Sequence, residues 1–546
     1  MRPASTLSSL SPSGFLLLLG LIPSVVSAAL EPADRLLDEQ RQRQRTQQLE
    51  APGLPTGPSA PVPLTTQASE IDEPGPVLNP ATVRIDAHAL LSPVQVAAIT
   101  APFERVPLGQ RRIALLIRQL DAQLVEAGWV TSRARLVGID WRRGEVAIEL
   151  VPGRIEAIHA PAADADALAR VLPVAEGDVL ALEALEQGVQ QINRLRMYQA
   201  QVQIQPGDAV GSSVLDIQLK AGRPWRASIG ADNQGQRSTG SGRLRLQGHL
   251  ENTLGLFDDI QLAVVGSERS NTVFASIAVP QGFNTWSATV SGSESAPGLL
   301  GLDYTSRALS IALGWNRVLS LSKEGRDALD LTLTRSRAAR TLASTHLDTE
   351  RSAVARLSWS RLRQGVGYQY YVEPGLSFGL PILGAPEDAE HLPRTHVHHQ
   401  FTKPSFNAGA IARPNQDVEL ASQFSAQRAD VSLIGAEQIS LGGMASVRGF
   451  EESALSGDTG YLIRTEARFL TAFAQRRLTP VPFIHLDHGS TWLAGRARHT
   501  LSSLGIGIRG IGNGLMWEAV LSAPLRHSPD IDRHAWRLHA TLSYEF

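Results

Sequence analysis

The sequence predicts a mixed fold in which two tandem α+β modules precede a transmembrane antiparallel β-barrel of about 16 strands. Two observations predict it. A strand–helix–helix–strand–strand order occurs twice between residues 82 and 221. From residue 222 to the last residue, Phe546, alternating segments follow one another with no convincing helix. At ~20 residues per strand and connection, this region forms about 16 strands, an even number that can close into a barrel.

The first residues have the features of a cleaved export signal. Arg2 precedes an apolar run at residues 15–22, and Val26-Ser27-Ala28 presents small residues at the positions that a signal peptidase reads. The run is followed by Pro23 and is too short to cross about 30 Å of hydrocarbon. We therefore expect residues 1–28 to be a signal peptide that is cleaved after Ala28.

Two segments without an evident core follow the signal. Residues 29–50 contain good helix formers, but their few apolar side chains cannot form a broad buried face. Residues 51–81 are rich in proline, which predicts an extended, unpacked tether. The expected arrangement is a mostly polar helix on a long flexible linker.

Apolar periodicity predicts the elements of the two modules. In the first module, residues 82–153, a short strand and a helix starting near Ser92 precede a longer helix. Five side chains share one face of that longer helix: Ile113, Leu116, Ile117, Leu120 and Leu124. Strands at 134–139 and 145–150 follow. The second module, residues 154–221, repeats this order with a strand at 154–159, helices at 165–171 and 180–195, and strands at 201–205 and 214–219.

The C-terminal region, residues 222–546, is predicted to form the barrel. Its last segment is the clearest strand, because every second residue is apolar: Trp536, Leu538, Ala540, Leu542, Tyr544 and Phe546. A soluble β-sandwich also alternates, with its apolar face turned inward. The export signal, the length of the β region and the aromatic residues near the ends of apolar faces favour a barrel in a bacterial outer membrane.

Composition excludes several other classes of protein. The chain has 0 cysteines, which excludes disulfides and cysteine-ligated metals. Its net charge of -2 gives no overall attraction to nucleic acid. After the N-terminal run, no segment has the ~18 consecutive apolar residues of a transmembrane helix. The mean hydropathy of -0.08 is nevertheless compatible with membrane-spanning strands, because these alternate polar and apolar residues.

Three motifs in the C-terminal half closely resemble the signature of the two-partner secretion transporters, the outer-membrane proteins that export haemolysins and filamentous adhesins. The motifs are Glu437-Gln438-Ile439-Ser440-Leu441-Gly442-Gly443, Val447-Arg448-Gly449-Phe450 and Gly457-Asp458-Thr459-Gly460. The resemblance implies a TpsB-type fold: a plug helix at 29–50, a periplasmic linker at 51–81, two POTRA (polypeptide-transport-associated) modules at 82–153 and 154–221, and the barrel at 222–546.

The resemblance also implies a pair of interacting motifs inside the barrel. In the family, the Val447-Arg448-Gly449-Phe450 motif lies at the tip of an extracellular loop that folds back into the lumen, and its arginine meets an aspartate of the barrel wall. The matching wall motif contains Asp487 and Gly489, with His485 where the family usually has Phe or Gly.

A physical argument supports such a pair. An arginine in a narrow lumen loses hydration, and a carboxylate that accepts two of its hydrogen bonds recovers much of that loss. The pair would then act as a latch. The alternative is an ordinary exposed loop arginine and an unpaired lumen aspartate.

Two other patterns suggest sites that we do not expect. Gly505-Ile506-Gly507-Ile508-Arg509-Gly510 matches the dinucleotide pattern G-x-G-x-x-G, but residues 511–520 look like a further strand rather than the helix that a pyrophosphate needs. Four histidines near acidic residues could bind a metal, but their spacing fits no fixed ligand geometry: His391, His396, His398 and His399. We interpret them as an exposed loop and expect no metal site, no cofactor and no enzyme activity.

The resemblance implies a function in protein export. The chain would recognise an unfolded exoprotein of the haemolysin or adhesin type (TpsA) with its periplasmic POTRA modules and secrete it through the barrel. It would act as a monomer in outer-membrane lipid, without nucleic acid. The alternative is a barrel-assembly or insertion factor of the same superfamily. A passive porin and a barrel hydrolase are less favoured.

The terminal residue has a second expected role. In the family, a terminal phenylalanine resembles the signal that the barrel-assembly machinery recognises. We therefore expect Phe546 to serve biogenesis as well as closure, with its strand pairing with the first barrel strand near 223–230.

Overall fold

A computed structural model describes residues 68–546, except 80, 88, 105, 162–164, 210, 298–302, 471–478, 530 and 532–534. The predicted signal peptide at 1–28, the predicted plug helix at 29–50 and the first part of the predicted linker lie outside the described residues. The described chain confirms the predicted fold class: two α+β modules and a closed antiparallel barrel.

The first module has the predicted order. Its elements are β1 (Thr82–Asp86), α1 (Pro93–Thr100), α2 (Gln110–Glu126), β2 (Arg133–Asp140) and β3 (Glu145–Val151). The sheet order is β1-β3-β2, with β1 parallel to β3. Ser92 begins α1 with a capping box, because its hydroxyl accepts from the amide of Gln95 while its own amide donates to the Gln95 side chain. Leu116, Leu120 and Leu124 of α2 are fully buried against the sheet. One detail differs from prediction, since Leu115 is buried and Ile117 is only half-buried.

The second module repeats this architecture. Its elements are β4 (Arg154–His159), α3 (Ala165–Val171), α4 (Leu182–Asn193), β5 (Tyr198–Pro206) and β6 (Ser212–Ala221). The sheet order is β4-β6-β5, so β5 is an edge strand. Its core brings Leu168 and Ile192 of the helices against Leu215 and Ile217 of the central strand.

The prediction of an unpacked tether is wrong for the last part of the linker. Residues 68–79 pack against the first module: Ala68 and Leu78 are 5% and 3% exposed. The guanidinium of Arg112 donates to the carbonyls of Ala68 (2.8 Å), Ile71 (2.6 Å) and Pro107 (2.6 Å). The carboxylate of Glu73 accepts from the amides at the start of α2, where an anion stabilises the helix. Proline content predicts the absence of regular structure but does not predict this docking.

Sixteen long strands close the barrel in the part of the chain that the structure describes. Each long strand is antiparallel to its neighbours in chain order, and the last pairs with the first. They are β7 (Trp225–Asp232), β8 (Arg243–Glu251), β9 (Asp259–Ser267), β10 (Ser270–Gln281), β11 (Asn284–Ser295), β12 (Tyr304–Ser322), β13 (Gly325–Leu342), β14 (Glu350–Gly365), β15 (Tyr368–Gly379), β16 (Thr402–Ala412), β17 (Val418–Gln427), β18 (Thr459–Phe469), β19 (Val481–Trp492), β20 (His499–Gly512), β21 (Leu515–Arg526) and β22 (Arg537–Glu545).

The outer face of the barrel is apolar and the inner face is polar. On β22, Leu538, Leu542 and Tyr544 are exposed outward, whereas His539 between them is 2% exposed. This arrangement excludes a soluble sandwich, whose apolar face is covered, and agrees with strands that face lipid. Residues 511–520 form β structure rather than a helix, as predicted, but they are not one strand: β20 ends at Gly512, Asn513 and Gly514 form the turn at φ 51° and 77°, and β21 begins at Leu515. Among the described residues, no helix is both long and apolar enough to cross a membrane.

The second module is attached directly to one end of the barrel. Phe257, in the turn between β8 and β9, is fully buried in the core of this module, and its ring lies 5.3 Å from that of Tyr198. Polar contacts surround this anchor: Glu251 accepts from the amide of Met197 (2.7 Å), and Arg194 donates to the carbonyl of Phe257 (3.0 Å). The barrel opening at this end therefore lies beside the module.

Candidate functional site

A long loop fills part of the barrel interior. It comprises residues 428–458, which connect β17 to β18 at the end opposite the second module, and we call it the lumen loop. Leu433, Leu441 and Val447 of this loop are fully buried. A short antiparallel ladder between Ile439–Leu441 and Leu455–Gly457 closes its inner part. The loop is thus a folded element inside the barrel.

Arg448 is the central residue of the lumen loop. It is 0% exposed and donates two parallel hydrogen bonds to Asp487 of β19, from Nε to Oδ2 and from Nη2 to Oδ1, both at 2.7 Å. Its backbone amide donates to the same carboxylate at 3.1 Å. The third guanidinium nitrogen, Nη1, donates to Glu466 Oε1 of β18 at 2.6 Å. A planar fork bound to a carboxylate fixes both distance and orientation, which a point charge does not.

Glu466 is a wall residue that the sequence analysis did not assign to the site. Besides Arg448, it accepts from Arg468 (2.9 Å) and Arg509 (2.8 Å), so one carboxylate joins three guanidinium groups. A signal for it was present in the sequence, because Arg464, Glu466 and Arg468 are spaced two residues apart and would share one face of a strand. The cross-strand register was needed to identify it: Glu466 lies opposite His485, two positions from Asp487.

His485, which occupies the unusual position of the wall motif, packs beside Asp487. Its Nδ1 lies 3.2 Å from Asp487 Oδ2, and its Nε2 lies 2.8 Å from Ser522 Oγ. The three side chains have the order of a serine–histidine–aspartate triad. However, Asp487 is held by Arg448, and Ser522 is 0% exposed beneath Gly449, so no substrate can reach the hydroxyl. The arrangement orients Asp487 and does not support hydrolysis.

The glycines of the G-x-G-x-x-G pattern make room for bulky wall side chains. They lie on strand β20, and a Cβ at Gly505 would collide with the ring of His485, whereas one at Gly507 would collide with the ring of Phe483. Phe483 is 1% exposed, and the guanidinium of Arg509 stacks 4.3 Å from its centroid. These glycines therefore serve strand packing beneath the site.

The neighbours of Arg448 in its motif fix the loop tip by packing and backbone geometry. Val447 and Phe450 belong to one apolar cluster with Leu441 of the lumen loop and Leu462 and Leu501 of the wall. Gly449 has φ +94°, a conformation that L side chains rarely adopt, and a Cβ there would lie 3.3 Å from the Cβ atoms of Ser503 and Ser522.

Gly489, the second residue of the wall motif, allows this cluster to approach the strand. A Cβ at Gly489 would lie 2.8 Å from Leu441 Cδ2. The structure thus brings together Val447, Arg448, Phe450, Asp487 and Gly489, which the resemblance singled out.

Asp458, the last residue of the lumen loop, binds the beginning of the same loop. This fully buried carboxylate accepts from the amides of Leu433 (2.8 Å) and Ala494 (2.8 Å) and from the side chain of Gln438 (3.1 Å). It belongs to the third motif of the sequence analysis. Its contacts join both ends of the loop.

Of the two remaining sequence features, Phe546 lies away from the lumen loop, whereas the histidine-rich segment contacts it: Val397-His398 pairs in parallel with Ser432-Leu433 of the loop. Phe546 follows β22, its amide donates to the carbonyl of Ala227 at 2.8 Å, and its side chain is 57% exposed on the outer face. The histidine-rich segment lies between β15 and β16, where His391 and His396 are exposed and His399 Nδ1 lies 3.3 Å from Asp388 Oδ1. Within the described residues, no three His, Asp or Glu side chains form a metal-binding group.

Comparison with known families identifies the three parts of the chain. A model described as haemolysin secretion/activation protein ShlB/FhaC/HecB matches residues 211–510, which is more than half of the chain. A ShlB-type POTRA model matches residues 79–153, and a second POTRA model matches residues 154–206.

Individual relatives agree with these matches. The outer membrane transporter CdiB of Escherichia coli is 29% identical over 459 residues, which cover 81% of this chain and 77% of the relative. The hemolysin transporter protein ShlB of Serratia marcescens is 28% identical over 470 residues, 83% of this chain and 81% of the relative.

Solved structures share the whole architecture. The structure of CdiB from Escherichia coli superposes with a TM-score of 0.83 at 25% identity and covers 95% of this chain and 100% of its own. CdiB from Acinetobacter baumannii superposes with a TM-score of 0.76 at 17% identity, over 95% of this chain and 100% of its own, and supports the fold. The chain therefore belongs to the ShlB/FhaC/HecB haemolysin secretion/activation family, the TpsB-type transporters of the bacterial outer membrane, which are not enzymes and whose POTRA modules lie in the periplasm.

Proposed function

We propose that this chain secretes an unfolded exoprotein, which its POTRA modules recognise in the periplasm and which leaves through the barrel when the lumen loop moves. The buried contact of Arg448 with Asp487 and Glu466 is the observation on which the proposal depends most. A loop in this position obstructs the path of a translocating polypeptide. Its polar attachments are reversible, because water or polar groups of the passing chain can replace them.

The periplasmic recognition site that we propose is the outer edge of β5. The edge of β4 is covered, because Ile155 exchanges backbone hydrogen bonds with Asp178 (2.9 Å) and Gly177 (2.7 Å). At the start of β5, Ala200 is covered by the side chain of Asn193. Beyond Ala200, no other strand among the described residues pairs with this edge. An extended polypeptide can add there through main-chain hydrogen bonds, with little demand on its sequence.

The names of the relatives support a class of cargo. One is named a hemolysin transporter protein and others are named CdiB outer membrane transporters. We therefore propose a secreted protein of the TpsA type as the partner. We also propose that residues 29–50 occupy the lumen at rest, since their polar, Gln- and Arg-rich sequence suits a wet interior.

Two measurements test this function. The culture medium of a deletion strain should lack one large protein that the wild-type strain secretes, and a plasmid copy of the gene should restore it. A photo-crosslinking residue at Gln203, exposed on β5, should then capture that protein, whereas the same residue at Arg142, on an exposed turn of the first module, should not. An unchanged set of secreted proteins would contradict the transport function, and equal capture at both positions would contradict the β5 site.

A further inference from the structure

The lumen loop has a second charged contact with the wall, at Glu437. This residue ends a short 3-10 helix, Gly435–Glu437, and its Oε2 lies 2.6 Å from Lys403 Nζ and 3.3 Å from Arg356 Nη2. Lys403 is 4% exposed. The carbonyl of Glu437 also accepts from Lys403 (2.8 Å) and from the Gln427 side chain (2.9 Å). Both the side chain and the backbone of Glu437 are therefore fixed to the wall.

The wall residues that bind Glu437 form a row across three adjacent strands. Arg356 of β14 lies opposite Ser377 of β15, and Ser377 lies opposite Lys403 of β16. Arg356 also donates from Nε to the Ser377 hydroxyl at 3.0 Å. Two cations are thus held next to each other with the Glu437 carboxylate against both. Without that carboxylate, a buried ammonium group would face a guanidinium group.

We propose that Glu437 is a second anchor of the lumen loop, with the opposite charge arrangement to that of Arg448. At the first anchor a loop cation binds the carboxylates of Glu466 on β18 and Asp487 on β19, and at the second a loop anion binds Arg356 on β14 and Lys403 on β16. Strand β17 lies between these two parts of the wall. This inference rests on the proposed function, in which the loop must leave its position.

Two anchors of opposite sign give the loop a unique placement. Asp458 and the short pairing with Val397-His398 also hold Leu433, but Glu437 adds the ion pairs that fix residues 433–441 to the wall of β14 and β16. The cationic row also opposes misplacement of the loop tip, because Arg448 would be repelled by Lys403 and Arg356. Glu437 is thus a positioning residue that fixes where the loop lies. While its contacts persist, loss of the Arg448 contact alone would free the loop tip but not residues 433–441.

Hydrogen exchange on the purified full chain tests this anchor without any secretion assay. We expect Glu437→Gln to accelerate amide exchange in residues 433–441 by roughly tenfold, because a charge-assisted contact is lost. Residues 446–450 should change less. The matched control is Glu294→Gln, which removes the carboxylate of an exposed pair with Arg307. Heat-modifiable migration in gels would verify that each barrel is folded.

Charge inversion provides the decisive comparison. Glu437→Lys should raise exchange in 433–441 further, and adding Lys403→Glu should restore part of the lost protection, because the ion pair returns while the bond from Lys403 to the carbonyl of residue 437 does not. Exchange in the Glu437→Gln variant that equals wild type, or a folded double variant without restoration, would overturn the second anchor. If exchange behaves as expected but no exoprotein is secreted by the wild-type protein, the anchor stands and the proposed function fails.

Discussion

Arg448 of the lumen loop and Asp487 of the barrel wall are joined by two parallel hydrogen bonds of 2.7 Å, and both side chains are 0% exposed. The backbone amide of Arg448 adds a third bond to the same carboxylate. A buried guanidinium group is costly unless its donors are satisfied, and here Asp487 and Glu466 satisfy them. The loop tip therefore has one strongly favoured position inside the barrel.

Asp487→Asn should loosen the loop tip without unfolding the barrel. The amide has nearly the shape of the carboxylate, but it lacks the charge and offers one acceptor in place of two. The lost interaction is about 2 kcal/mol, which should appear as faster hydrogen exchange in residues 446–450. Asp430→Asn, at an exposed pair with Arg428, is the control and should leave this exchange unchanged. Equal exchange in both variants would mean that the carboxylate does not hold the tip.

Gly449→Ala should displace the loop tip. Alanine at φ +94° is strained, and its methyl group would contact Ser503 and Ser522, at a combined cost of about 1–3 kcal/mol. We expect larger ion conductance in planar bilayers, because the displaced loop closes the lumen less completely. Gly242→Ala is the matched control, since a Cβ at this exposed glycine meets no atom within 4 Å. A conductance that matches this control would contradict the role of Gly449.

Arg112→Ala should release the end of the linker from the first POTRA module. It removes three hydrogen bonds to backbone carbonyls, two of them from residues 68 and 71. Limited proteolysis should then cut within 68–79 at least several-fold faster, because cleavage follows the population of the released segment. Arg118→Ala, at an exposed position of the same helix, is the control. No difference between the two variants would show that Arg112 is dispensable for docking.

A chain that ends at Glu545 should reach the outer membrane poorly. It lacks the Phe546 ring, which packs edge-on against Tyr544 at 5.0 Å, and the backbone bond to Ala227. The amount of heat-modifiable barrel in membrane fractions measures insertion, and the circular dichroism of the released periplasmic region would verify that the POTRA modules fold. Phe406→Ala removes another outward-facing phenylalanine and should insert normally. Normal insertion of the shortened chain would exclude an assembly signal at Phe546.

The periodicity of apolar residues predicted the fold well where buried and exposed side chains alternate regularly. The two module sheets follow from apolar periodicity, and β22 has the predicted outer face. The prediction of strand at 511–520 was right in type but missed the two-residue turn at Asn513 and Gly514, because apolar alternation does not reveal it. Periodicity alone does not reveal a tight hairpin when both of its strands have the same alternation of apolar and polar residues.

The remaining features could not be predicted from the sequence, because they depend on contacts between segments that are distant in the chain. The sequence puts Glu466 on one face with Arg464 and Arg468, but only the register between β18 and β19 brings it to Arg448. Glu437 belongs to a recognised motif, yet its partners Lys403 and Arg356 are determined by how the loop folds back. The docking of 68–79 depends likewise on Arg112, more than 30 residues later. None of these pairs has a local spacing that could reveal it.

Secretion by the Arg448→Ala variant tests the central claim most directly. The amount of exoprotein in the medium would be measured against wild type, at equal amounts of folded barrel in the outer membrane. We predict a strong loss of secretion with normal insertion, because Asp487 and Glu466 lose the cation that positions the loop. Secretion at the wild-type level from the same amount of folded barrel would contradict the latch.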